Sequence, residues 1–376
     1  EFLELFFHSP FWIKEIHKNS MGTTVHTLTI SRVKVILVPF PPLEEQKAIV
    51  AIVNELFAEV EQLEEQTKTS IQLKEDFITS ALTRLSQAEN VNQEWQFLQT
   101  HFTEFFTEKE NVKRLRETIL QLAVQGKLTT KWRTCHPELV EGSHHASELL
   151  KRIQTEKQQL ITQKKIKKEK PLPPIEDHEK PYNLPEGWVW TLLGDLGYAQ
   201  TGTTPPTKNP ENYGTYIPFL GPANISNSDM EYPEEGLSKV GLEKGRLIEA
   251  NSLMMVCIGG SMGKCNVNSI DVSCNQQINT IKTLASPIDY VKIICQSPYF
   301  QNEVWSRSTG SATPMINKNK WLQIPVSVPP LEEQKAIVKQ VNTLMALCDS
   351  LEEHIENSQT QIEQLMQSCL KEVFEN

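Results

Sequence analysis

Two stretches of the chain, residues 41–50 and 329–338, carry the same ten residues: Pro-Pro-Leu-Glu-Glu-Gln-Lys-Ala-Ile-Val. The offset of 288 residues continues outside the identical block, since Ser9 and Pro10 correspond to Ser297 and Pro298. A repeat of this length is too long for a solenoid, whose units contain about 20 to 50 residues. The sequence therefore predicts a duplicated module, in which a globular unit is followed by a long helix.

The repeated decapeptide predicts the start of that helix. Its two prolines end the preceding extended run and preset the first helical turn, and its glutamates lie at the positive end of the helix dipole. Apolar residues then recur every seven positions in two rows separated by four, which is typical of a coiled-coil seam. The seam residues are Ile49, Leu56 and Leu63 in the first copy, and Ile337, Val341, Leu344, Leu351, Ile355 and Ile362 in the second. Each helix needs a partner, and we expect the other copy to supply it.

The composition is that of a folded protein with two or three domains. Of its 376 residues, 22% are charged and 39% are hydrophobic, and no apolar run approaches the ~20 residues of a membrane span. The seven cysteines are odd in number, scattered, and without a C-x-x-C pair, which argues against disulfide frameworks and zinc ribbons. We expect a reduced, cytoplasmic setting in which at least six of the cysteines are small buried side chains.

The net charge of −10 argues against a simple nucleic-acid binder. Residues 331–376 contain nine acidic and three basic residues, and residues 183–328 contain twelve acidic and ten basic residues. The one strongly basic segment, 151–170, contains eight Lys or Arg residues. A partner therefore cannot be held by bulk charge alone.

Changes in composition and in the spacing of apolar residues divide the chain into five segments. Residues 1–40 correspond to the end of a module, 41–90 and 329–376 are coiled-coil helices, 91–182 is a helical region with a Pro-rich linker, and 183–328 is a mixed domain of short strands. The predicted fold class is α+β, with mixed α/β domains joined by long antiparallel coiled-coil helices. Because the second module has a long segment that the first lacks, we interpret the sequence as a fragment or the product of a shortened gene.

Several finer elements follow from Gly, Pro and apolar spacing. We expect a helix from Glu94 to Leu128, closed by Gly126, and a polar helix over Ala146–Lys168. Near the end of the mixed domain 183–328, we expect a helix over Ser297–Arg307, followed by the last strand. The expected strand runs are Thr215–Leu220, Ser252–Ile258, Gln277–Leu284 and Trp321–Val328.

Three polar stretches in residues 183–328 could contact a ligand. Gly259–Lys264 lacks the spacing of a phosphate loop, and we interpret it as a glycine turn between strands. The carboxamides that begin at Asn275 could read adenine edges or tie down a turn. The loops 201–209 and 309–320 could contact phosphates or be ordinary solvated loops.

No catalytic or metal-binding motif is found. The sequence has no Ser-His-Asp arrangement, no Asn-Pro-Pro-Tyr-type methylation loop, and no dinucleotide-binding glycine turn. The histidines near 136–145 lack a metal-ligand spacing and read as a loop. The chain is therefore expected to carry no chemistry, no cofactor and no metal of its own.

Taken in order, these stretches resemble the DNA-specificity subunit of Type I restriction–modification systems. The stretches that carry the resemblance are the repeated decapeptide with its helix, Leu115–Leu128 with Trp132-Arg133, Ala146–Ile153, Leu184–Trp188 with Gly202–Tyr213, Gly260–Lys264 with Asn275–Ile278, and Gly310–Lys320. The resemblance covers essentially the whole chain. Two departures are the first recognition domain, reduced to residues 1–40 and so not expected to read DNA, and the long segment 136–145.

The resemblance implies a non-catalytic subunit whose target-recognition domains each read half of a split site in double-stranded DNA. The two stems pack antiparallel as a spacer, and a helix of about 43 residues spans roughly 65 Å. Two modification subunits dock along the stems and transfer methyl from S-adenosylmethionine to adenine N6. Restriction subunits, where present, add ATP- and Mg-dependent cleavage, and no membrane is involved.

The recognition residues are expected in loops around 201–213, 259–277 and 309–320. The candidates are Lys208, Asn224, Ser261, Lys264, Asn275, Gln276, Ser311, Thr313, Lys318 and Lys320. Two other functions stay open: an assembly-only scaffold that is silent toward DNA, and a fragment of a fused restriction or methyltransferase enzyme. A subunit of this kind could also pair with another copy through its stems.

Overall fold

The computed structural model describes residues 1–20, 28–88, 90–139 and 145–374, and only the backbone of 372–374. Gly22, which the repeat aligns with Gly310, and residues 140–144 of the His-containing loop lie outside these ranges. The chain forms two compact units, Glu1–Phe77 and Ile78–Asn376. It combines long helices with small sheets, which confirms the predicted α+β class. The five-segment division stays a prediction.

Fourteen α-helices lie in the described residues, and the longest are the two that begin within the repeated decapeptide. They are α1 (Phe2–His8), α2 (Pro10–Asn19), α3 (Ile30–Val33), α4 (Leu43–Gln87), α5 (Val91–Thr100), α6 (Phe102–Phe105), α7 (Lys109–Val124), α8 (Thr130–Cys135), α9 (Ala146–Thr162), α10 (Lys239–Lys244), α11 (Ile288–Gln296), α12 (Pro298–Ser306), α13 (Lys318–Leu322) and α14 (Leu331–Phe374).

The decapeptide begins a helix in both copies, as predicted, since α4 and α14 each start directly after the second proline. The same side-chain bond forms twice. Gln46 Nε2 donates to the Pro41 carbonyl at 2.8 Å, and Gln334 Nε2 donates to the Pro329 carbonyl at 3.0 Å. The identical sequences therefore fold identically at the local level.

The repeat also holds in the helix caps before the decapeptide. Ser9 caps α2 by accepting from the Trp12 amide at 3.2 Å, and Ser297 caps α12 by accepting from the Phe300 amide at 3.4 Å. A proline follows each serine at the first helical position, where its missing N–H costs nothing. The duplication is thus a structural one.

The seam of α14 is buried in its first half, and within the second unit α7 packs on this helix together with α11 and α8. Arg116 of α7 donates to Asp349 at 2.7 Å and to Glu352 at 3.0 Å. The buried seam residues are Ile337, Val341, Leu344, Leu351 and Ile355, whereas Ile362, Leu56 and Leu63 are exposed and Ile49 is half-buried. The sequence did not indicate α7 as a partner, and the pairing of the two stems stays a prediction.

Two helix predictions need correction. The helix expected from Glu94 to Leu128 is three helices, because it is interrupted at His101 and at Phe106. The ring of Phe106 is buried, and its centroid lies 5.1 Å from that of Phe102. Gly126 does close α7, at φ +72°. The helix predicted to reach Lys168 ends at Thr162, where the chain adopts a left-handed turn.

In the part of the chain that the structure describes, ten strands form three sheets, and all ten lie within residues 189–328. They are β1 (Val189–Leu192), β2 (Gly197–Thr201), β3 (Tyr213–Gly214), β4 (Ile217–Leu220), β5 (Gly236–Leu237), β6 (Leu253–Val256), β7 (Cys265–Val267), β8 (Ser273–Cys274), β9 (Ile278–Thr283) and β10 (Pro325–Val328). The sheet orders are β1-β10, β2-β9-β6-β7 and β3-β5-β4-β8, and only the β4–β8 pair is parallel. One apolar cluster, including Leu220, Met254 and Ile278, joins the two larger sheets.

All four predicted strand runs contain a strand, but the last begins as a helix. Trp321 lies in α13, whose first turn is capped by Asn317 accepting from the Lys320 amide at 2.9 Å. The cysteine expectation was wrong in number: five are buried, whereas Cys135 and Cys369 are exposed. Cys135 ends a short surface helix, and Cys369 lies on the uncovered end of α14.

Candidate nucleic-acid interface

The loop that follows β2 meets the turn between β8 and β9. The Thr203 amide donates to the Cys274 carbonyl at 2.9 Å, and Thr204 Oγ1 donates to Gln276 Oε1 at 2.6 Å. A Cβ at Gly202 would lie 2.1 Å from the Asn275 carbonyl oxygen. This close approach needs a glycine, and it brings two of the three predicted loops together.

The candidate asparagines hold turns beside this junction. Asn275 Oδ1 accepts from the Gln277 amide at 3.0 Å, and its Nδ2 donates to Gln277 Oε1 at 3.1 Å. Asn224 Oδ1 accepts from the Gly221 amide at 2.9 Å. Of the carboxamides near 275, the exposed one is therefore Gln276.

The Gly259–Lys264 stretch is a tight turn that joins the antiparallel strands β6 and β7, as predicted. Gly259 and Gly263 adopt φ of +92° and +94°, which glycine tolerates without strain. Lys264 is exposed and Ser261 is half-buried. The turn therefore presents a cation without forming a phosphate-binding loop.

The loop 309–316 packs against the start of that turn. The Gly259 amide donates to the Pro314 carbonyl, and the Ile316 amide donates to the Cys257 carbonyl, both at 2.9 Å. Ser311 and Thr313 are exposed at its tip. Because the Cys257 amide also bonds the Gln277 carbonyl at 2.7 Å, the loops form one continuous area. The term loop surface below means residues 202–204, 221–224, 257–264, 274–277 and 309–316.

The candidate lysines differ in what they contact. Lys318 Nζ donates to Glu169 Oε1 at 3.0 Å and to the Ala199 carbonyl at 3.4 Å. Lys320 Nζ donates to the Arg307 carbonyl at 3.0 Å. The ammonium groups of these two lysines thus bind within the protein. Lys264 belongs to the loop surface. Lys208 lies on the loop before β3, and within the described residues no contact joins it to the loop surface.

Polar residues behind the loop surface fix its shape, and sequence reasoning missed them. Thr201 Oγ1 donates to Asn279 Oδ1 at 2.7 Å. Gln301 Nε2 donates to the Gly263 carbonyl at 2.9 Å, and Gln296 Nε2 donates to the Cys265 carbonyl at 3.0 Å. The one usable signal was Asn279, a buried polar residue that follows Ile278 in β9.

The loop surface offers hydrogen-bonding groups and no activated nucleophile. Burial raises the pKa of the Cys257 and Cys274 thiols to about 12, so both stay protonated. The described part of the chain contains no group of three or more His, Cys, Asp or Glu residues that could hold a metal ion. Within the same residues, no helix is both long enough and apolar enough to cross a membrane.

A buried polar cluster connects the mixed domain to α14. Glu333, on the first turn of α14, is fully buried. Its carboxylate accepts from Arg133 at 2.5 Å, from Thr129 at 2.7 Å, and from the Trp188 indole at 2.8 Å. This cluster therefore ties the start of the mixed domain to the first turn of α14.

Comparison with known proteins identifies the family. The model of the Type I restriction modification DNA specificity domain matches residues 1–73 and 185–361. The specificity subunit of the EcoAI restriction enzyme of Escherichia coli is 31% identical over 344 residues, which is 86% of this chain and 56% of that protein. The EcoEI specificity subunit of Escherichia coli is 26% identical over 376 residues, which is 92% of this chain and 61% of that protein. The chain thus spans less than two thirds of these relatives.

Two solved structures are also similar. A chain from a type I R-M system complex is 17% identical, with 99% of this chain and 70% of that chain covered and a TM-score of 0.48. The HsdS subunit from Thermoanaerobacter tengcongensis is 18% identical, with 99% and 69% covered and a TM-score of 0.45. These likenesses are too weak for further structural inference. The family model, in contrast, matches well over half of the residues, and the chain therefore belongs to the Type I restriction modification DNA specificity family.

Proposed function

We propose that the chain is a non-catalytic subunit that reads one half of a bipartite DNA target. The observation that carries this proposal is the loop surface, in which separate loops converge and present exposed polar side chains. Gln276 offers a carboxamide, which can bind an adenine edge in the major groove. Ser311 and Thr313 offer hydroxyls, and Lys264 offers a cation for a phosphate.

The long helices suit a scaffold for partner proteins. Apolar side chains stay exposed along both of them, and such rows mark interaction surfaces. These side chains are Ile52, Leu56, Val60 and Leu63 on α4, and Ile362, Leu365, Met366 and Leu370 on α14. We propose that the two stems pack antiparallel as a spacer of roughly 65 Å. Two modification subunits would dock on them and methylate adenine N6 with S-adenosylmethionine, and the ATP and Mg chemistry would belong to restriction subunits.

Methylation-site mapping tests the reading function. Cells that carry this gene and its modification partner should methylate adenines in one sequence motif. Gln276→Ala should relax or abolish that motif, whereas Gln159→Ala, on the exposed side of α9, should leave it unchanged. Methylation without any sequence preference in the wild type would contradict the proposal.

An assembly-only role is the second candidate, and a specific observation favours it. Asn224, Asn275, Lys318 and Lys320 are engaged within the protein, while the apolar rows on the stems are free for partners. Purified complexes decide between the two functions. Retention of modification subunits without sequence-selective DNA binding would support the assembly-only role, and selective binding would exclude it. Light scattering of the same complex tests whether two copies of the chain pair through their stems.

A further inference from the structure

Positive charge is concentrated in a short segment that follows α9. Residues 164–170 have the sequence Lys-Lys-Ile-Lys-Lys-Glu-Lys, and they are called the lysine segment below. All five lysines are exposed. In the described part of the chain, none of the five side chains has a hydrogen-bond or ion-pair partner. Five free ammonium groups in seven residues contrast with the acidic chain around them.

Glu169 anchors this segment beside the loop surface. Its Oε1 accepts from Lys318 Nζ at 3.0 Å, and its Oε2 lies 3.5 Å from Lys157 Nζ. Lys318 Nζ also bonds the carbonyl of Ala199 on β2. Ala199 precedes Gly202 by three residues, which is about 10 Å of extended strand. The lysine segment is therefore held well within one DNA turn, about 34 Å, of the loop surface.

Lys164 is an unusual residue for its position, because the backbone there is left-handed. Lys164 has a φ of +58°, and the Lys165 amide donates to the Leu160 carbonyl at 3.0 Å, which closes α9. Glycine is the usual residue at this left-handed position because a Cβ is strained there. The helix dipole attracts cations only within the last turn, so it does not account for Lys167 or Lys168.

We propose that the lysine segment binds the phosphate backbone of the DNA duplex beside the bases that the loop surface reads. This inference rests on the proposed reading function and adds a second contact area to it. Ammonium groups bind phosphates without regard to sequence and gain affinity from the counterions that they release. Such a contact would position the duplex on a chain whose net charge is −10.

Salt-dependent DNA binding tests the proposal in the complex assembled with its modification subunits. The probes are one duplex that carries the mapped target and one with that target scrambled. Lys167→Ala combined with Lys168→Ala should lower the slope of log K against log salt by about 0.9 per lost phosphate contact, that is, by about 1.8. Affinity should fall by the same factor on both duplexes. The matched control combines Lys14→Ala with Lys34→Ala, two exposed lysines in residues 1–40, and should not change the slope.

Lys164→Gly separates charge from folding. It removes one ammonium group and also relieves the left-handed backbone, so the slope should fall while the melting temperature stays equal or rises. One outcome is an unchanged slope in both the single and the double variant while the complex still prefers its target. That result would overturn the phosphate contact of the lysine segment but not the reading function. Loss of the modification subunit at an unchanged slope would also overturn it, by assigning the segment to a protein partner. A wild type without target preference would contradict the reading function, whereas a reduced slope in the variants would still support the phosphate contact.

Discussion

The Trp188 indole donates a hydrogen bond to the Glu333 carboxylate at 2.8 Å, with both side chains buried. Trp188 begins the mixed domain, and Glu333 lies on the first turn of α14. Arg133 supplies the opposite charge at 2.5 Å. The repeat places Glu45 at the equivalent position of the first copy, where it is exposed. The same ten-residue sequence therefore places its second glutamate in a buried site at Glu333 and in an exposed site at Glu45. Substituting each glutamate tests what the buried site contributes to stability.

Glu333→Gln should destabilise the protein by about 3 kcal/mol, because it leaves the largely buried Arg133 without its counterion. Urea unfolding measures the change. Glu45→Gln is the matched control, since it makes the same substitution in the same ten residues at an exposed site, and it should change stability little. Equal effects of the two substitutions would contradict the assigned role of the buried cluster.

Gly202→Ala should disrupt the loop surface. The added Cβ would lie 2.1 Å from the Asn275 carbonyl oxygen and 2.4 Å from that of Cys274, so backbone must move. Overpacking of this kind costs about 1–3 kcal/mol, and target binding should weaken with it. The control is Gly214→Ala, outside the loop surface, whose Cβ would meet no atom closer than 3.6 Å. Thermal melting and DNA retention should both separate the two variants.

Lys264→Ala should weaken DNA binding in the complex with the proposed modification subunits. Removing one phosphate contact should reduce the slope of log K against log salt by about 1, with a similar loss on target and non-target DNA. Lys14→Ala, at an exposed lysine of α2, serves as the control. Unchanged affinity at matched salt would remove the 259–264 turn from the interface.

Stability should fall above pH 9 because buried thiols resist ionisation. Burial raises the pKa of Cys257 and of Cys265 from 9.0 to about 12. Between these values the unfolded thiol loses its proton and the folded one keeps it, so the free energy of unfolding decreases by about 1 kcal/mol per thiol from pH 9 to pH 10. Urea titrations at pH 8, 9 and 10 measure this decrease. Cys257→Ala should flatten the profile, whereas Cys135→Ala, at an exposed thiol, should not change it.

The helical parts of the fold were largely predictable, because their signals are local. Proline and glutamate spacing marked the starts of α4 and α14, and Gly126 marked the end of α7. The break at Phe106 was missed because it depends on where an aromatic ring is buried, which periodicity does not report. The early end of α9 at Thr162 was missed because Lys164, a residue with good helix propensity, occupies a left-handed turn.

The candidate site was predictable as a set of loops but not residue by residue. Asn275 and Lys318 were chosen for their chemistry, yet the structure uses them to hold a turn and to bind Glu169. Lys264 and Gln276 were chosen by the same reasoning and are exposed. Whether a polar side chain is exposed or bonded within the protein depends on its neighbours in space. A single sequence does not specify those neighbours.

By itself, the sequence determined the duplication, the starts of the two long helices, and the family to which the chain belongs, since each depends on residues adjacent along the chain. Only the tertiary structure decided that α7, α11 and α8 pack on α14, that the first half of its seam is buried, and that Glu333 is buried while Glu45 is not. The physical reason is that burial and pairing depend on segments distant in sequence. Ten identical residues therefore form the same helical turn twice, but their side chains take the environment that the rest of the chain provides.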